Sequence, residues 1–457
     1  MRSDHDIRDW RRAVVYGLGV SGKAAARLLL SRGVSVVGID SRRQTELELE
    51  TLVDDSRFET TLGADPLELP PSVDGVVVSP GVPLDRPLLR AAAEAGLPVI
   101  AEVELAYRFL DGPVIGITGS NGKSTTTALT GELLTACGYQ AEVCGNIGVP
   151  LAACVDGPPG RVFVTELSSF QLEGITEFRP HIAAWLNLSA DHLDRHADLT
   201  QYARAKKALF ENQQEEDVAV LNADDPQVAA LVTRGRRRFF SRLGRVTDGC
   251  YLDGDRVVEI EPAGEPIELF HRDELGISGT HNLENAMAAA LLARAMGAEI
   301  ECVRAGLGAF KGLPHRLQKV AEMHGVTWFD DSKGTNIGAT LRTLEGFADH
   351  SVHLILGGRN KGADAGELEL MVRTKVRHLY FIGEAAEDFH RSLGHVVPGS
   401  IEHTLASAVD SAAQRARDGE SVVLSPACAS FDQYTDFRHR GRHFQTLIAQ
   451  LGAEQSG

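Results

Sequence analysis

An apolar strand that breaks into a glycine turn, with lysine, serine and threonine opening the next helix, is the tightest constraint in this chain. Val114 to Thr118 reads as a buried strand, Gly119-Ser120-Asn121-Gly122 as the turn, and Lys123-Ser124-Thr125 as the start of a helix ending near Gly138. Such a unit belongs in a parallel α/β sheet, where helices cover the apolar faces of the strands. The turn also specifies chemistry. Glycines let backbone N–H groups approach phosphate oxygens, the lysine neutralises charge on the β- and γ-phosphates, and the serine hydroxyl holds magnesium. The strict pattern G-x-x-x-x-G-K-[ST] is not met, because Ile117 stands five before Gly122 and the nearest glycine is Gly116. Phosphate binding is still favoured over a structural turn, since a lysine after glycine at a helix start has little packing value.

The same grammar opens the chain. A strand at Ala13 to Tyr16 runs into Gly17-Leu18-Gly19-Val20-Ser21-Gly22, a helix (Lys23 to Ser31) and a strand (Val34 to Ile39) followed by Asp40. This formally matches the dinucleotide fingerprint with its ribose-binding acid, although structural turns and other nucleotides share the geometry. A further apolar run, Val76 to Val78, ends in Ser79-Pro80-Gly81. After Thr118, strands are expected at Val162 to Glu166, Ala184 to Leu188 and Val218 to Leu221. A hairpin-like stretch, Cys250 to Ile260, is expected at the sheet edge, turning at Asp253-Gly254. Gly306 to Pro314 reads as a second hinge, with strands beyond it at Thr327 to Phe329, Leu354 to Leu356, Tyr380 to Ile382 and Val422 to Leu424.

At 457 residues the chain is too long for one ordinary core. The expected fold class is α/β with three domains: a Rossmann-like one at 1–102, a P-loop ATPase-type one at 103–312, and a Rossmann-like one at 313–457. With 43% hydrophobic and 24% charged residues, disorder is excluded as a class, and a net charge of −17 argues against a broad nucleic-acid footprint. The six cysteines, 137, 144, 154, 250, 302 and 428, show no C-x-x-C spacing and read as reduced core residues. Met1 to Arg12 is charged and lacks a signal-peptide core, and no run is long enough to span a bilayer, so a cytoplasmic protein is expected.

Several polar groups cluster at expected strand ends. Glu166, leading into Leu167-Ser168-Ser169-Phe170-Gln171, shares a crevice with Ser124 and is a magnesium candidate. Asp191-His192-Leu193-Asp194-Arg195, followed by Tyr202 and Lys206, is either a cation and phosphate site or a solvated helix. His281-Asn282 with Asn285 reads as a helix entrance. Arg316, beside His315, is placed to reach a phosphate. Asp331-Ser332-Lys333-Gly334-Thr335-Asn336 and Gly357 to Gly362, with Lys361, set cations and hydroxyls where an acidic small substrate is clamped. Cys428, in Ser425 to Gln433, has no base beside it and is read as a packing residue.

In this order, the blocks Gly116 to Thr125, Glu166 to Leu172, Asp191 to Arg195, Tyr202 to Lys206, Gly279 to Asn282, Gly312 to Arg316, Asp331 to Asn336 and Leu424 to Gln433 resemble the Mur ligase family nearly end to end. The resemblance implies an ATP-dependent amide ligase of cell-wall precursor synthesis that adds D-glutamate to UDP-N-acetylmuramoyl-L-alanine through an acyl phosphate. It implies a UDP site at Val20, Ser21, Asp40, Ser41, Arg42, Ser79, Pro80 and Gly81, with Asn146 and Gln171 toward the sugar and alanyl parts. ATP is expected on Gly119, Ser120, Asn121, Gly122, Lys123, Ser124 and Thr125, with Asn282, Arg316 and Asp331. Two magnesium ions are implied, on Ser124 and Glu166 and on His192 with a carbamylated Lys206. Lys207 is the rival for carbamylation; Lys206, four residues after Tyr202, matches the family's spacing, and Lys207 points about 100° away on the helix. D-glutamate is expected on Lys333, Thr335, Lys361, Ser430, Phe431 and Phe437, in a mobile C-terminal domain. The expected catalytic residues are Lys123, His192 and Lys206. The expected partners are these small molecules alone, with no nucleic acid and no membrane, acting on a monomer. Competing readings are a folylpolyglutamate-synthase-like ligase, which leaves residues 13–101 unexplained, an NAD-dependent oxidoreductase, which leaves Lys123 and Glu166 unexplained, and a non-catalytic nucleotide-binding regulator.

Overall fold

A computed structural model describes residues 6–189, 195–196, 198–277 and 279–454. The first sheet is parallel, in the order β3-β2-β1-β4-β5, with β1 (Arg12–Tyr16), β2 (Ser35–Asp40), β3 (Phe58–Leu62), β4 (Gly75–Val78) and β5 (Val99–Ala101). Val14, Val15, Val36 and Val76 are completely buried, as the uninterrupted apolar runs require of strands covered on both faces. Tyr16 pairs with Ile39 on one side and Val78 on the other, so the turns after β1, β2 and β4 open at one end of the sheet. That end is where ligands of such sheets bind.

The second sheet has nine strands in the order β14-β13-β12-β11-β10-β9-β6-β8-β7. They are β6 (Val114–Thr118), β7 (Gln140–Gly145), β8 (Arg161–Glu166), β9 (Ile182–Trp185), β10 (Val218–Asn222), β11 (Arg236–Ser241), β12 (Gly249–Asp253), β13 (Arg256–Ile260) and β14 (Ile267–His271). The expected hairpin is β12 with β13, but it is not the edge, because β14 adds outside it. The strand expected to reach Leu188 stops at Trp185, since Asn187 is drawn into bonds with the glycine loop.

The reading of six reduced cysteines is corrected here. Cys137, just past the helix Lys123–Ala136, is disulfide-bonded to Cys302 in the helix Ile300–Ala309. Gly306 eases the approach: a Cβ there would lie 2.7 Å from Leu133 Cδ2 and push that side chain aside. Gly306 is therefore helical rather than part of a hinge, and the helix continues to Ala309. The other four cysteines are free and buried.

The third sheet, β15-β16-β20-β17-β18-β19, comprises β15 (Gln318–Met323), β16 (Val326–Asp330), β17 (Val352–Gly357), β18 (Val376–Ile382), β19 (Gly399–His403) and β20 (Ser421–Leu424), parallel except for β15. It belongs, with 275–285, to one compact unit, and the first two sheets form another. Within the latter a single apolar cluster runs from Val15 and Leu29 through Val103, Leu105 and Ala106 to Phe163 and Trp185. The helix Glu102–Tyr107 thus joins two sheets in one core.

Candidate active site

The turns after β1, β2 and β4 enclose a cavity of about 470 Å³. Its lining includes Val20, Ser21, Asp40, Ser41, Arg42, Ser79, Pro80, Gly81 and Asn146, all expected from the sequence, together with Asp65 and Arg86, which were not. A Cβ on Gly22 would sit 1.8 Å from the Gly17 carbonyl oxygen, so glycine is what allows the helix Val20–Ser31 to start against the turn. Asp40 accepts from the Leu18 amide at 2.7 Å and from the Arg42 amide and guanidinium at 2.8–3.0 Å. Burial alone would raise its pKa, but the bonds from Arg42 and Leu18 hold it below the usual carboxylate value. Ser79 Oγ donates to the Gly17 carbonyl at 2.6 Å, tying the third turn to the first. Arg86 pairs with Asp65 at 2.6 Å. Asp65 follows β3, a largely exposed strand that no apolar pattern marked, and Arg86 lies farther along than the strand-end turn after β4. Gln171 is not in this lining; its side chain closes a capping box with Ser168 in the short helix Ser169–Leu172.

At the mouth of the second sheet, Gly122 caps the helix Lys123–Ala136 with φ +83°, a left-handed conformation that favours glycine. The loop is held in shape by Asn187: the amides of Ser120 and Asn121 donate to its backbone and side-chain oxygens at 3.0 and 2.9 Å, and its Nδ2 donates to the Asn121 carbonyl. Lys123 Nζ donates to the carbonyls of Gly119 and Ser120, both at 2.9 Å. Ser124 and Thr125 are buried in the first helical turn. Glu166, 2% exposed, ends β8 beside β6, with Ile117 as its register partner.

One Glu166 oxygen accepts from Asn146 Nδ2 at 2.7 Å, while Oε2 is buried with no hydrogen-bond partner among the described residues. A buried carboxylate oxygen without a donor is what a hard cation requires, so Glu166, with the Ser124 hydroxyl, fits magnesium. Lys206 is 1% exposed, donates to the Gly119 carbonyl at 2.8 Å and lies 4.3 Å from the Tyr202 ring centre. Lys207, about 100° around the helix, is exposed. Lys206 and Lys123 therefore meet at one carbonyl. His192 lies outside the described residues.

In the unit of the third sheet, Asp331 is buried and accepts from Thr343 Oγ1 at 2.7 Å, Ser425 Oγ at 2.8 Å and the Leu317 amide. Burial pushes its carboxyl up to about 6 despite those bonds. Arg316 faces it electrostatically, and its neighbour His315 bonds Asp330 at 2.7 Å. Asn282 accepts from Asn285 Nδ2 at 3.3 Å. Lys333 lies 4.4 Å from the Phe437 ring centre. Phe431 is 61% exposed, Lys361 is exposed and Ser430 is buried.

Arg440 was missed by the sequence reading. It is 1% exposed and donates to the Ser332 hydroxyl and to the carbonyls of Ser332 and Cys428, so one guanidinium fastens the loop after β16 to the loop after β20. Burial lowers its pKa to about 10. Burial pushes the Cys428 thiol up to about 12, which suits packing rather than attack.

Three family models match the chain: "Mur ligase MurD-like, N-terminal domain" over residues 11–101, "Mur ligase middle domain" over 117–293 and "Mur ligase, glutamate ligase domain" over 315–428. The chain is 42% identical to a UDP-N-acetylmuramoylalanine–D-glutamate ligase of Geotalea uraniireducens, across 96% of this chain and 98% of that one. Among solved structures, a pseudomurein peptide ligase type C of Methanothermus fervidus superposes with a TM-score of 0.63 at 17% identity, covering 96% of this chain and 100% of that chain. A MurF ligase of Thermotoga maritima, solved in complex with ADP, gives 0.60 at 17% identity over 96% and 98%. At those identities the two structures speak for the fold alone.

Proposed function

The chain belongs to the Mur ligase family, and from that premise we propose that it joins D-glutamate to UDP-N-acetylmuramoyl-L-alanine with ATP, in peptidoglycan precursor synthesis. One observation carries the reading: Asn146 lines the first-sheet cavity and bonds Glu166, the carboxylate at the phosphate loop, at 2.7 Å. A nucleotide-sugar held by the first turn thus has its far end directed at the place where a γ-phosphate lies. The 42% identity with a ligase of that name supports the substrate pair.

In this reading the substrate's terminal carboxylate attacks the γ-phosphate, ADP leaves, and an acyl phosphate forms. The amine of D-glutamate then attacks the acyl carbon, and inorganic phosphate departs with one of the original carboxyl oxygens. Two anions must meet in the first step, so the residues needed are those that cancel charge without blocking approach. Lys123 and the amides of the Gly119–Ser124 loop hold the β- and γ-phosphates. Ser124 and Glu166 hold magnesium, which supplies the remaining charge cancellation when bound. Lys206, buried against the same loop, is the site we assign to carbamylation, with His192 as its companion in holding a second ion. Asn282, Arg316 and Asp331 serve the nucleotide. Lys333, Thr335, Lys361, Ser430, Phe431 and Phe437 receive D-glutamate, whose two carboxylates suit the lysines.

The proposed divisions are 1–102 for the UDP moiety, 103–312 for ATP and 313–457 for the amino acid. The enzyme acts as a cytoplasmic monomer on small molecules only. The location is supported by the finding that, among the described residues, no helix is long and apolar enough to cross a membrane. The test is phosphate release from ATP with UDP-N-acetylmuramoyl-L-alanine, with D-glutamate, and with both. Release only with both, and a product heavier by one glutamate residue, is expected. Release that ignores either substrate overturns the proposal.

A further inference from the structure

We infer that Arg195 is a positioning residue for the UDP-substrate: it is the strut that holds the loop after β4 at its working distance from the turn after β8. The inference rests on the function proposed above, because it concerns how one extended substrate is held across the two surfaces. Arg195 Nη2 donates to Glu173 Oε2 at 2.9 Å and to the Val82 carbonyl at 3.2 Å, and its guanidinium lies 5.0 Å from the Phe170 ring centre. Phe170 and Glu173 belong to the segment after β8 that also carries Gln171. Val82 belongs to the loop that carries Ser79, Pro80 and Gly81 into the 470 Å³ cavity. The two ends of the strut are therefore the two surfaces proposed to take the uridine diphosphate and the sugar-peptide.

The strut is itself held firmly. His196, 3% exposed, shares a 2.9 Å hydrogen bond with Ser169 Oγ and stacks on Phe170 at 5.6 Å between ring centres, with its Nδ1 3.6 Å from Glu173. The loop it supports has little behind it. A second hollow of about 190 Å³, lined by Val82, Leu84, Leu89, Ile100, Phe170 and Arg195 among others, adjoins the back of the loop and shares Ser79 and Val82 with the substrate cavity. The hollow is open to solvent on one side, so no packed core backs the loop there, and a side chain reaching from wall to wall braces it. Arg195 is that side chain.

Arg195 is not needed to keep the two sheets together. The Ala101 amide donates to the Gly174 carbonyl at 2.8 Å, and the Glu104 carboxylate accepts from the amides of Thr176, Glu177 and Phe178. These bonds dock the same turn by themselves. Loss of Arg195 is thus felt in the loop from Ser79 to Pro83 rather than throughout the fold. Lysine is a poor substitute, because a point ammonium on a flexible stem lacks the planar face that lies over Phe170 while one nitrogen bonds both oxygens.

The test compares wild type, R195M and R195K as full-length enzyme. It measures binding of UDP alone and of UDP-N-acetylmuramoyl-L-alanine by calorimetry, KM for ATP and D-glutamate, and the unfolding midpoint. R195M is expected to weaken UDP, which the Ser79 to Gly81 turn receives, about threefold, and the complete substrate, which needs both surfaces in register, about tenfold, the scale of one or two lost hydrogen bonds. R195K is expected to fall between R195M and wild type. KM for ATP and D-glutamate should stay within twofold and the unfolding midpoint should hold. If wild type binds the complete substrate and both variants bind it equally well, the inference is wrong. It is equally wrong if KM for ATP rises in step with the substrate constant, the mark of general damage. Should R195M fail to fold, R195K alone decides. A wild type that binds neither uridine compound refutes the proposed function instead.

Discussion

Two turns of this molecule are built alike and surrounded differently. Gly17 to Gly22 and Gly119 to Gly122 each leave a buried parallel strand and enter a helix. In the first, the nearest charge is the Asp40 carboxylate, which bonds the turn's own Leu18 amide and is matched by Arg42. In the second, two lysines converge on the Gly119 carbonyl, and Glu166 keeps a buried oxygen without a hydrogen-bond partner among the described residues. Glycine sets the shape of such a turn, and the neighbouring strand ends decide what it binds. An acid next to the turn suits hydroxyl groups of a nucleoside, whereas a lysine beside a carboxylate able to hold magnesium suits a triphosphate.

Exchanging the charges is the way to break that comparison. The largest effect is expected from K123A, which removes a cation facing the reacting phosphates: kcat should fall about 10³-fold or more, with binding of UDP-N-acetylmuramoyl-L-alanine unchanged in calorimetry. Next, K206A should lose about 10²-fold in kcat while K207A stays within twofold, since only Lys206 is buried at the loop. Equal losses in the two variants would dissolve the distinction. D40A, at the other turn, should raise KM for the UDP-substrate about tenfold and leave KM for ATP alone.

The smallest expected effect is in acid stability, which sharpens the contrast with a third region. Burial lowers the pKa of His281 to about 4 and that of His378 to about 4, from an ordinary 6.5. A depressed histidine pKa gives stability that is complete above 6.5 and is lost as pH falls toward 4. Asp40, held below its usual value, keeps its contribution throughout that window and loses it only below about 3.8. Urea midpoints measured between pH 7 and 4.5 should therefore decline less in H378Q than in wild type, and D40N should leave the slope unchanged.

How far these regions could be read in advance depended on how local their causes are. Val114 to Thr118 and the following Gly-Lys pair carry their meaning in adjacent residues, and the strand and helix stand where the pattern put them. Lys206 was preferred to Lys207 on the family's spacing from Tyr202; the helical step adds only that the two lysines face different ways. β3 was missed since Phe-Glu-Thr-Thr-Leu is a largely exposed edge strand with no apolar alternation. β11 was missed because it carries three arginines, two of which are neutralised by Asp248, just before β12, and Glu259 of β13. The Cys137–Cys302 bond and the burial of Arg440 depend on how distant elements pack, and the Arg440 stretch by itself reads as an ordinary basic helix start. Asp65 and Arg86 entered the cavity for the same reason.

The central claim, that the lysine-bearing loop directs a triphosphate at a neighbouring carboxylate, is tested most directly by isotope. UDP-N-acetylmuramoyl-L-alanine labelled with oxygen-18 in its terminal carboxylate is turned over with ATP and D-glutamate, and the released phosphate is weighed by mass spectrometry. The account predicts one carboxyl oxygen in each phosphate. Phosphate free of label, alongside normal product, would contradict it.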